Sequence, residues 1–229
     1  MKLYIGNKNY SSWSMRPWVL LRNAGIAFEE IKLRLPTATD PDSDFKQRVT
    51  SVSPAGRVPV LVLDDGFAVW DTLAIAETVA ERFPQYALWP QDAQQRARAR
   101  SLAAEMHSGF GTLRNHFPMN IEAKLPGVGP RVLLEQPGAV ADLTRIDQLW
   151  SNALAASGGP FLFGAFGIVD AFYAPVCARV LSYGLPLSVA AQGYVERVWA
   201  LPAVQAWVQD ALLEADFLPE DEPYRTQRD

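Results

Sequence analysis

Three short segments carry the side chains best suited to chemistry: Tyr10-Ser11-Ser12-Trp13-Ser14-Met15-Arg16-Pro17-Trp18, Ser53-Pro54-Ala55-Gly56-Arg57-Val58-Pro59 and Trp70-Asp71-Thr72-Leu73-Ala74-Ile75. Ser11 and Ser12 stand just before a helical pattern. A helix N-terminus presents unpaired N–H groups and about half a positive charge, so it favours an anion. Serine hydroxyls placed there are suited to donate to a thiolate or an oxyanion, and such charge-assisted bonds are about twice as strong as neutral ones. Val58-Pro59 puts a proline at the start of an apolar run. Proline leaves a ladder position unpaired, and a cis bond there frees the Val58 backbone to pair with an extended peptide. Asp71 and Thr72 open another helix, where Thr72 suits a carboxylate through its hydroxyl and N–H, and Asp71 suits an ammonium. Each segment alone also fits a structural role, as a helix cap or a strand boundary. Together they describe a cradle for an anion and a peptide.

A second group lies further along. Met106, His107, Phe110, Arg114 and Phe117 follow one another in a helical stretch. With Trp13 they are candidates for a pocket that takes an apolar reactant, although an aromatic and methionine stripe equally fits a packed core. Arg16 is placed to attract an anionic substrate, though an arginine near a helix start is ordinarily a solvated side chain. Cys177, inside an apolar helix, fits an inert buried thiol.

To bring the first three segments together, the first part of the chain must alternate strands and helices. Residues 2–5 form a short apolar strand. Residues 14–24 form a helix, with Ser14 as N-cap, Pro17 in the first turn and Gly25 as the stop. Ile31, Leu33 and Leu35 alternate with Lys32 and Arg34, which predicts a strand. A Pro- and Asp-rich stretch, 36–44, leads to a weak helix over 45–52. Strands at 58–63 and 67–70 flank the turn Asp64-Asp65-Gly66. A helix capped by Asp71 or Thr72 runs to Phe83. The order is β-α-β-α-β-β-α. Residues 84–92, with Pro84 and Pro90, form a linker. Beyond it only helices are expected, over 93–115, 139–156, 168–183, 188–201 and 202–215. Gly127-Val128-Gly129-Pro130 is a loop, and 220–229 is a polar, frayed tail. The chain divides into an α/β domain (1–83), a linker (84–92) and an all-helical domain (93–229).

Composition bounds the function. The 229 residues include 49% apolar and 20% charged side chains, which excludes disorder, collagen and coiled coil as whole-chain readings. A net charge of −4 and an isoelectric point near 5.3 lack the basic footprint of a nucleic-acid binder. The single cysteine forms no intrachain disulfide, and two histidines with one cysteine make a zinc cluster unexpected. The N-terminal apolar run is too short for a signal peptide, and no run reaches the roughly 18 residues of a membrane span. A cytoplasmic address is expected, with no membrane or nucleic-acid partner and no metal.

At this point the sequence resembles the glutathione S-transferase superfamily along its whole length. Pro54-Ala55-Gly56-Arg57-Val58-Pro59-Val60-Leu61 is similar to the family's cis-proline motif. Asp71-Thr72 stands where the family has an acidic or amide residue followed by Ser or Thr, which hold the γ-glutamyl group. Phe163-Gly164-Ala165-Phe166-Gly167-Ile168-Val169-Asp170 is similar to the family's folding motif, with Gly167 where Ser or Thr is usual. Ser11-Ser12-Trp13-Ser14 resembles the serine-type motif of the zeta class, Ser-Ser-Cys-Ser, with Trp13 in place of the cysteine. That replacement argues against thiol transfer, and the longer run looks like a bacterial subgroup.

The resemblance implies a thioredoxin-like N-terminal domain with a mixed sheet, an all-α C-terminal domain and a homodimer. It implies glutathione as cosubstrate, activated through Ser11, or Ser12 one residue on, for attack on a small apolar electrophile. Arg57, Val58, Pro59, Asp71 and Thr72 would bind glutathione, with Lys46, Gln47 and Arg48 as candidates for its glycyl carboxylate. Trp13, Met106, His107, Phe110 and Arg114 would border the electrophile. Glutathione-dependent isomerisation, dehalogenation or ether cleavage, and a non-catalytic binding role, are the alternatives on the same fold.

Overall fold

The computed structural model describes residues 1–37 and 44–228. Residues 38–43, most of the Pro- and Asp-rich stretch, and Asp229 lie outside the described residues. Four strands, β1 (Lys2–Ile5), β2 (Glu29–Lys32), β3 (Val60–Val62) and β4 (Ala68–Trp70), form one sheet in the order β2-β1-β3-β4. β1 pairs parallel with β2, Lys2 opposite Glu29, and antiparallel with β3, Tyr4 opposite Val60. A parallel pair needs a crossover, and α1 (Ser12–Asn23) supplies it. β3 and β4 form a hairpin, where Gly66 takes φ 85° and the Asp65 carboxylate accepts from the Phe67 N–H at 3.0 Å.

Side chains alternate across this sheet as the strand period requires. Leu3, Ile5 and Leu61 join the main core, with residues of α1 and α3 (Thr72–Arg82). On the other face Val60 packs with Leu33 and with Phe45 and Val49 of α2 (Asp44–Thr50), beside Tyr4 and Ile31. β2 was expected over 31–35 and lies earlier. β1 stops at Ile5, so the last ladder bond runs from the Leu33 N–H to the Ile5 carbonyl, at 2.8 Å. β3 likewise begins at Val60 rather than Val58, after a cis Val58-Pro59 bond.

The rest is helical: α4 (Ala93–Ser108), α5 (Gly111–His116), α6 (Val128–Glu135), α7 (Pro137–Ser157), α8 (Ile168–Tyr183), α9 (Val189–Trp199) and α10 (Pro202–Leu213). α8 is buried almost throughout and packs against α1, α4 and α9. Trp150 of α7 meets Tyr173 and Tyr194 edge-on, at 5.5 and 4.8 Å between ring centres. At the start of α8 the buried Asp170 carboxylate accepts from the N–H groups of Gly167 (2.9 Å) and Leu162 (3.1 Å) and from the Tyr194 hydroxyl (3.0 Å). Burial pushes its pKa up to about 6 against those bonds. The glycine before this helix has a steric reason: a Cβ on Gly167 would lie 2.8 Å from the Leu88 carbonyl oxygen.

Four expectations are corrected. α1 starts two residues earlier than 14–24, with Ser11 rather than Ser14 as N-cap. Pro17 therefore sits in the second turn and removes one helical bond. The helix expected over 93–115 is two helices, because Phe110 takes φ 57° after Gly109, where a Cβ would meet the Glu105 carbonyl at 2.6 Å. Residues 128–130 open α6 instead of forming a loop. Gly129 is packed there so tightly that a Cβ would lie 2.1 Å from the Tyr183 carbonyl oxygen. The tail is docked rather than frayed: Glu222 is buried, Arg225 bonds Glu222 and Glu122, and Tyr224 donates to the His116 carbonyl at 2.7 Å.

Candidate active site

The β1–α1 loop folds on itself before it reaches the serines. The Asn7 carbonyl accepts from the N–H groups of Tyr10 (3.2 Å) and Ser11 (2.8 Å). Ser11 then caps α1. Its oxygen accepts from the Ser14 N–H at 3.4 Å, and its hydroxyl donates to Ser14 Oγ at 2.8 Å. Ser14, fully buried, also accepts from the Gly6 N–H at 3.0 Å. The Ser12 hydroxyl makes no hydrogen bond to a described residue. Both Ser11 and Ser12 line a cleft of about 470 Å³ between the sheet and the helices, with Trp13, Arg57, Val58 and Arg114.

The C-terminal segment grips this loop residue by residue. Asn7 donates to Asp216 (3.0 Å), the Lys8 N–H to Glu214 (2.7 Å) and the Tyr10 hydroxyl to Glu222 (2.7 Å). Lys8 is buried between Glu30 (2.7 Å) and Asp210 (2.6 Å) and lies 4.5 Å from the Trp18 ring centre. The serines are thus fixed from both ends of the chain.

Val58 enters the cleft from the sheet side, and Pro59 follows it through the cis bond. Asp71 and Thr72 lie at the N-terminus of α3. Asp71 takes φ 74°, and its carboxylate caps the helix by accepting from the Leu73 N–H at 2.8 Å. Its other oxygen lies 3.2 Å from His107 Nε2, which comes from α4. Thr72 is buried, and its hydroxyl has no hydrogen-bond partner among the described residues. Buried hydroxyls are ordinarily paired.

The helical wall is cationic. Arg114 and Arg179 line the cleft, and Arg16 lies behind Trp13, its guanidinium 4.2 Å from that ring centre and 5.0 Å from Phe172. Arg16, read as a solvated side chain, is instead 1% exposed. Of the residues considered for the second reactant, Trp13 and Arg114 border the cleft. His107 stands edge-on to Trp13 at 5.2 Å, while Met106 and Phe110 belong to the core. Lys46 lies beside Gly56, and Arg48 pairs with Asp44 at 3.3 Å on the surface. Cys177 is fully buried, and burial pushes its thiol well up.

Sequence reasoning missed Tyr10, Met119, Arg179 and Asp221 as cleft residues. Arg179 had a usable signal, a lone cation inside an apolar helix. Asp221 had none, because its tail reaches the cleft only through tertiary contacts. A groove of about 490 Å³ between α4 and α7 is similar in size but holds none of the serine or proline segments. Among the described residues no helix is long and apolar enough to cross a membrane.

A family model described as "Glutathione S-transferase, N-terminal domain" matches residues 10–82. The chain is 31% identical over 121 residues to maleylacetoacetate isomerase of Pseudomonas aeruginosa, covering 53% of this chain and 55% of that protein. It is 28% identical to glutathione S-transferase 1 of Dianthus caryophyllus, covering 82% and 81%. The chain spans about half the length of the first curated relatives it matches. A solved glutathione transferase homolog from Burkholderia with bound glutathione is 28% identical, with TM-score 0.67 over 92% of this chain and 97% of that one. The fold, a thioredoxin-like α/β part followed by an all-helical part, is the one the solved structures share, and residues 10–82 match the glutathione S-transferase N-terminal domain.

Proposed function

We propose that the chain is a glutathione transferase that activates the glutathione thiol through Ser11. One observation carries the reading: Ser11 and Ser12, at the N-terminus of α1, line the same cleft as Val58. The glutathione held by the similar Burkholderia protein supports it. In this reading Val58 pairs its backbone with the cysteinyl unit. Thr72 donates its free hydroxyl to the γ-glutamyl carboxylate, and Asp71 meets the ammonium. Arg57 and Lys46 would meet the glycyl carboxylate.

A thiol with pKa of about 8.5 is mostly protonated at neutral pH. Lowering that value by about two units takes about 2.7 kcal/mol of selective thiolate stabilisation. A serine hydroxyl and a helix N-terminus supply interactions of that size. The thiol proton leaves to solvent, while Ser11 keeps its own and donates a hydrogen bond. The sulfur then forms a bond to an electrophilic carbon of the second substrate, and the leaving group departs with the electron pair of the bond that breaks. The reading includes a cytoplasmic homodimer divided at residues 84–92, using no metal.

The local likeness to maleylacetoacetate isomerases favours one other chemistry, isomerisation, in which the thiolate adds and is released again. Glutathione is then regenerated instead of consumed, which a thiol assay separates. The first test is calorimetric titration of glutathione into wild type, Ser11→Ala and Ser12→Ala, with the ultraviolet thiolate band followed against pH. Wild type should bind glutathione with a lowered thiol pKa, and Ser11→Ala should raise it. An unshifted pKa in wild type removes the serine mechanism, and no binding leaves a non-catalytic member of the fold.

A further inference from the structure

Arg16 is buried from solvent, yet its guanidinium makes no hydrogen bond to a described residue, and Nε and Nη1 are fully shielded without a partner. A buried cation in this state is costly unless an anion meets it. The neighbours add to the cost. Burial, with the fields of Arg179 and Arg114 acting in the same direction, lowers the Arg16 pKa to about 9 against a favourable field from Asp71. Arg179 is itself lowered to about 10 by burial.

Arg114 and Arg179 thus line one wall of the cleft with Arg16 behind Trp13, and no carboxylate among the described residues is bonded to any of the three. Arg179 donates to the Phe117 (2.7 Å) and Pro175 (3.1 Å) carbonyls, and Arg114 to the His107 carbonyl (3.4 Å). The nearest acids are engaged elsewhere or set apart. Asp71 holds the Leu73 N–H and His107, and Asp221 lines the cleft from the C-terminal tail. His107 Nδ1, next to Trp13, is likewise buried without a partner.

We propose that the second subsite of the cleft takes an acceptor bearing a carboxylate, recognised by the cluster of Arg16, Arg114 and Arg179, with its apolar body against Trp13. This replaces a neutral apolar electrophile with an anionic one, and it rests on the glutathione reading only for what the bound anion then does. The glutathione contacts proposed above lie on the sheet side and at α3, so the cluster is not needed for that peptide. Arg114 and Arg179 face the cleft and would contact the carboxylate. Arg16 acts through its field and through Trp13, whose ring it holds, so it is a positioning residue.

The experiment is calorimetric titration of benzoate and of benzamide, which match in shape and differ in charge, with and without glutathione. Wild type should bind benzoate at least 10-fold more tightly than benzamide, and rising salt should narrow the gap. Arg114→Gln should lose most of that preference while its glutathione affinity changes less than 3-fold. Arg16→Lys keeps the charge and tests folding: it should retain the preference, whereas Arg16→Gln should weaken it. Equal binding of the two probes to wild type, or an unchanged preference in Arg114→Gln, overturns the proposal. So does a matching loss of glutathione affinity in Arg114→Gln, which would assign the cluster to the peptide. Benzoate selectivity in a protein that fails to bind glutathione would keep the anion subsite and reject only the transferase reading.

Discussion

The hydroxyl of Ser11 donates to that of Ser14 across 2.8 Å, and Ser14 in turn accepts from the Gly6 N–H at 3.0 Å. Hydroxyl protons rotate, so this pair can reverse. With a thiolate beside Ser11, Ser14 donates to Ser11 and Ser11 turns its proton to the sulfur. The Gly6 N–H still satisfies Ser14, and each bond polarises the next. Ser11→Ala should then lower kcat by about 100- to 1,000-fold, the cost of removing one preorganised donor. Ser14→Ala should raise the bound thiol pKa by less than Ser11→Ala does. It should also lose about 1–3 kcal/mol of stability, because the Gly6 N–H is left buried and unpaired. The thiolate band against pH and urea unfolding read the two effects separately. A Ser14→Ala protein with an unaltered thiolate pKa would show that the relay plays no part.

Thr72 separates binding from stability. Its buried hydroxyl has no partner among the described residues, and Asp71 performs the capping. Thr72→Val keeps the shape and the branching. Stability should hold or rise, because a buried hydroxyl without a partner gives way to an apolar methyl of the same shape. Glutathione affinity should fall about 10- to 150-fold, the loss of one hydrogen bond to a charged group. Calorimetry and a melting curve on the same sample check both. A destabilised protein with intact affinity would mean that the hydroxyl serves the fold.

Asp170 makes a pH prediction. Burial raises its pKa from 3.8 to about 6 in the folded chain. The native state therefore holds the proton over a range where the unfolded state has released it. The stability contributed by this group is fully present below pH 3.8 and is lost as pH rises through about 6. The loss is about 3 kcal/mol at most, since each tenfold difference in proton affinity between the folded and unfolded chains is worth about 1.4 kcal/mol. Urea unfolding of wild type and Asp170→Asn from pH 4 to 7 should give a difference that shrinks with rising pH, since asparagine has no such titration. Asp170→Ala should destabilise at every pH, by about 3 kcal/mol or more, because three buried donors lose their acceptor.

Tyr10 tests the grip of the C-terminal segment on the serine loop. Its hydroxyl donates to the buried Glu222 at 2.7 Å and accepts from the Leu218 N–H at 3.4 Å. Tyr10→Phe should cost about 1–3 kcal/mol, the penalty of an unpaired buried group, and should speed proteolytic cutting after residue 213. Fragment masses over a protease time course read this directly. A tail that stays resistant would place its anchorage in the other contacts, those of Glu214, Asp216, Tyr224 and Arg225.

Gly167→Ser restores the residue usual at this N-cap in the resembling family and should still be destabilising. Serine is favoured over glycine there by only a few tenths of a kcal/mol. Its Cβ would lie 2.8 Å from the Leu88 carbonyl oxygen, which also accepts from the Ile168 N–H at 3.1 Å. Overpacking of this kind costs about 1–3 kcal/mol, to be read as a lower urea midpoint. A higher midpoint would mean that the Leu88 backbone yields easily.

Local patterns determined the order of elements up to Phe83 and the longer helices beyond it. The alternation of Leu3, Tyr4 and Ile5, the turn at Asp64-Asp65-Gly66, and the run from Ile168 to Tyr183 each state their own structure, because strand and helix periods are short-range properties. The meeting of Ser11 and Ser12 with Val58 at one cleft was legible for a related reason, since each sits at an element boundary where backbone groups are left unpaired. Boundaries shifted wherever a distant partner decided them. β2 stops at Lys32 because β1 turns away after Ile5, and α4 ends where Gly109 packs on Glu105. Only the tertiary structure could bury Arg16 under Trp13 and Phe172, bring Arg179 and Asp221 into the cleft, and lock Tyr10 to Glu222 more than 200 positions away. Charge and burial at those places depend on which surfaces meet when the helices close over the sheet, and no local spacing encodes that meeting.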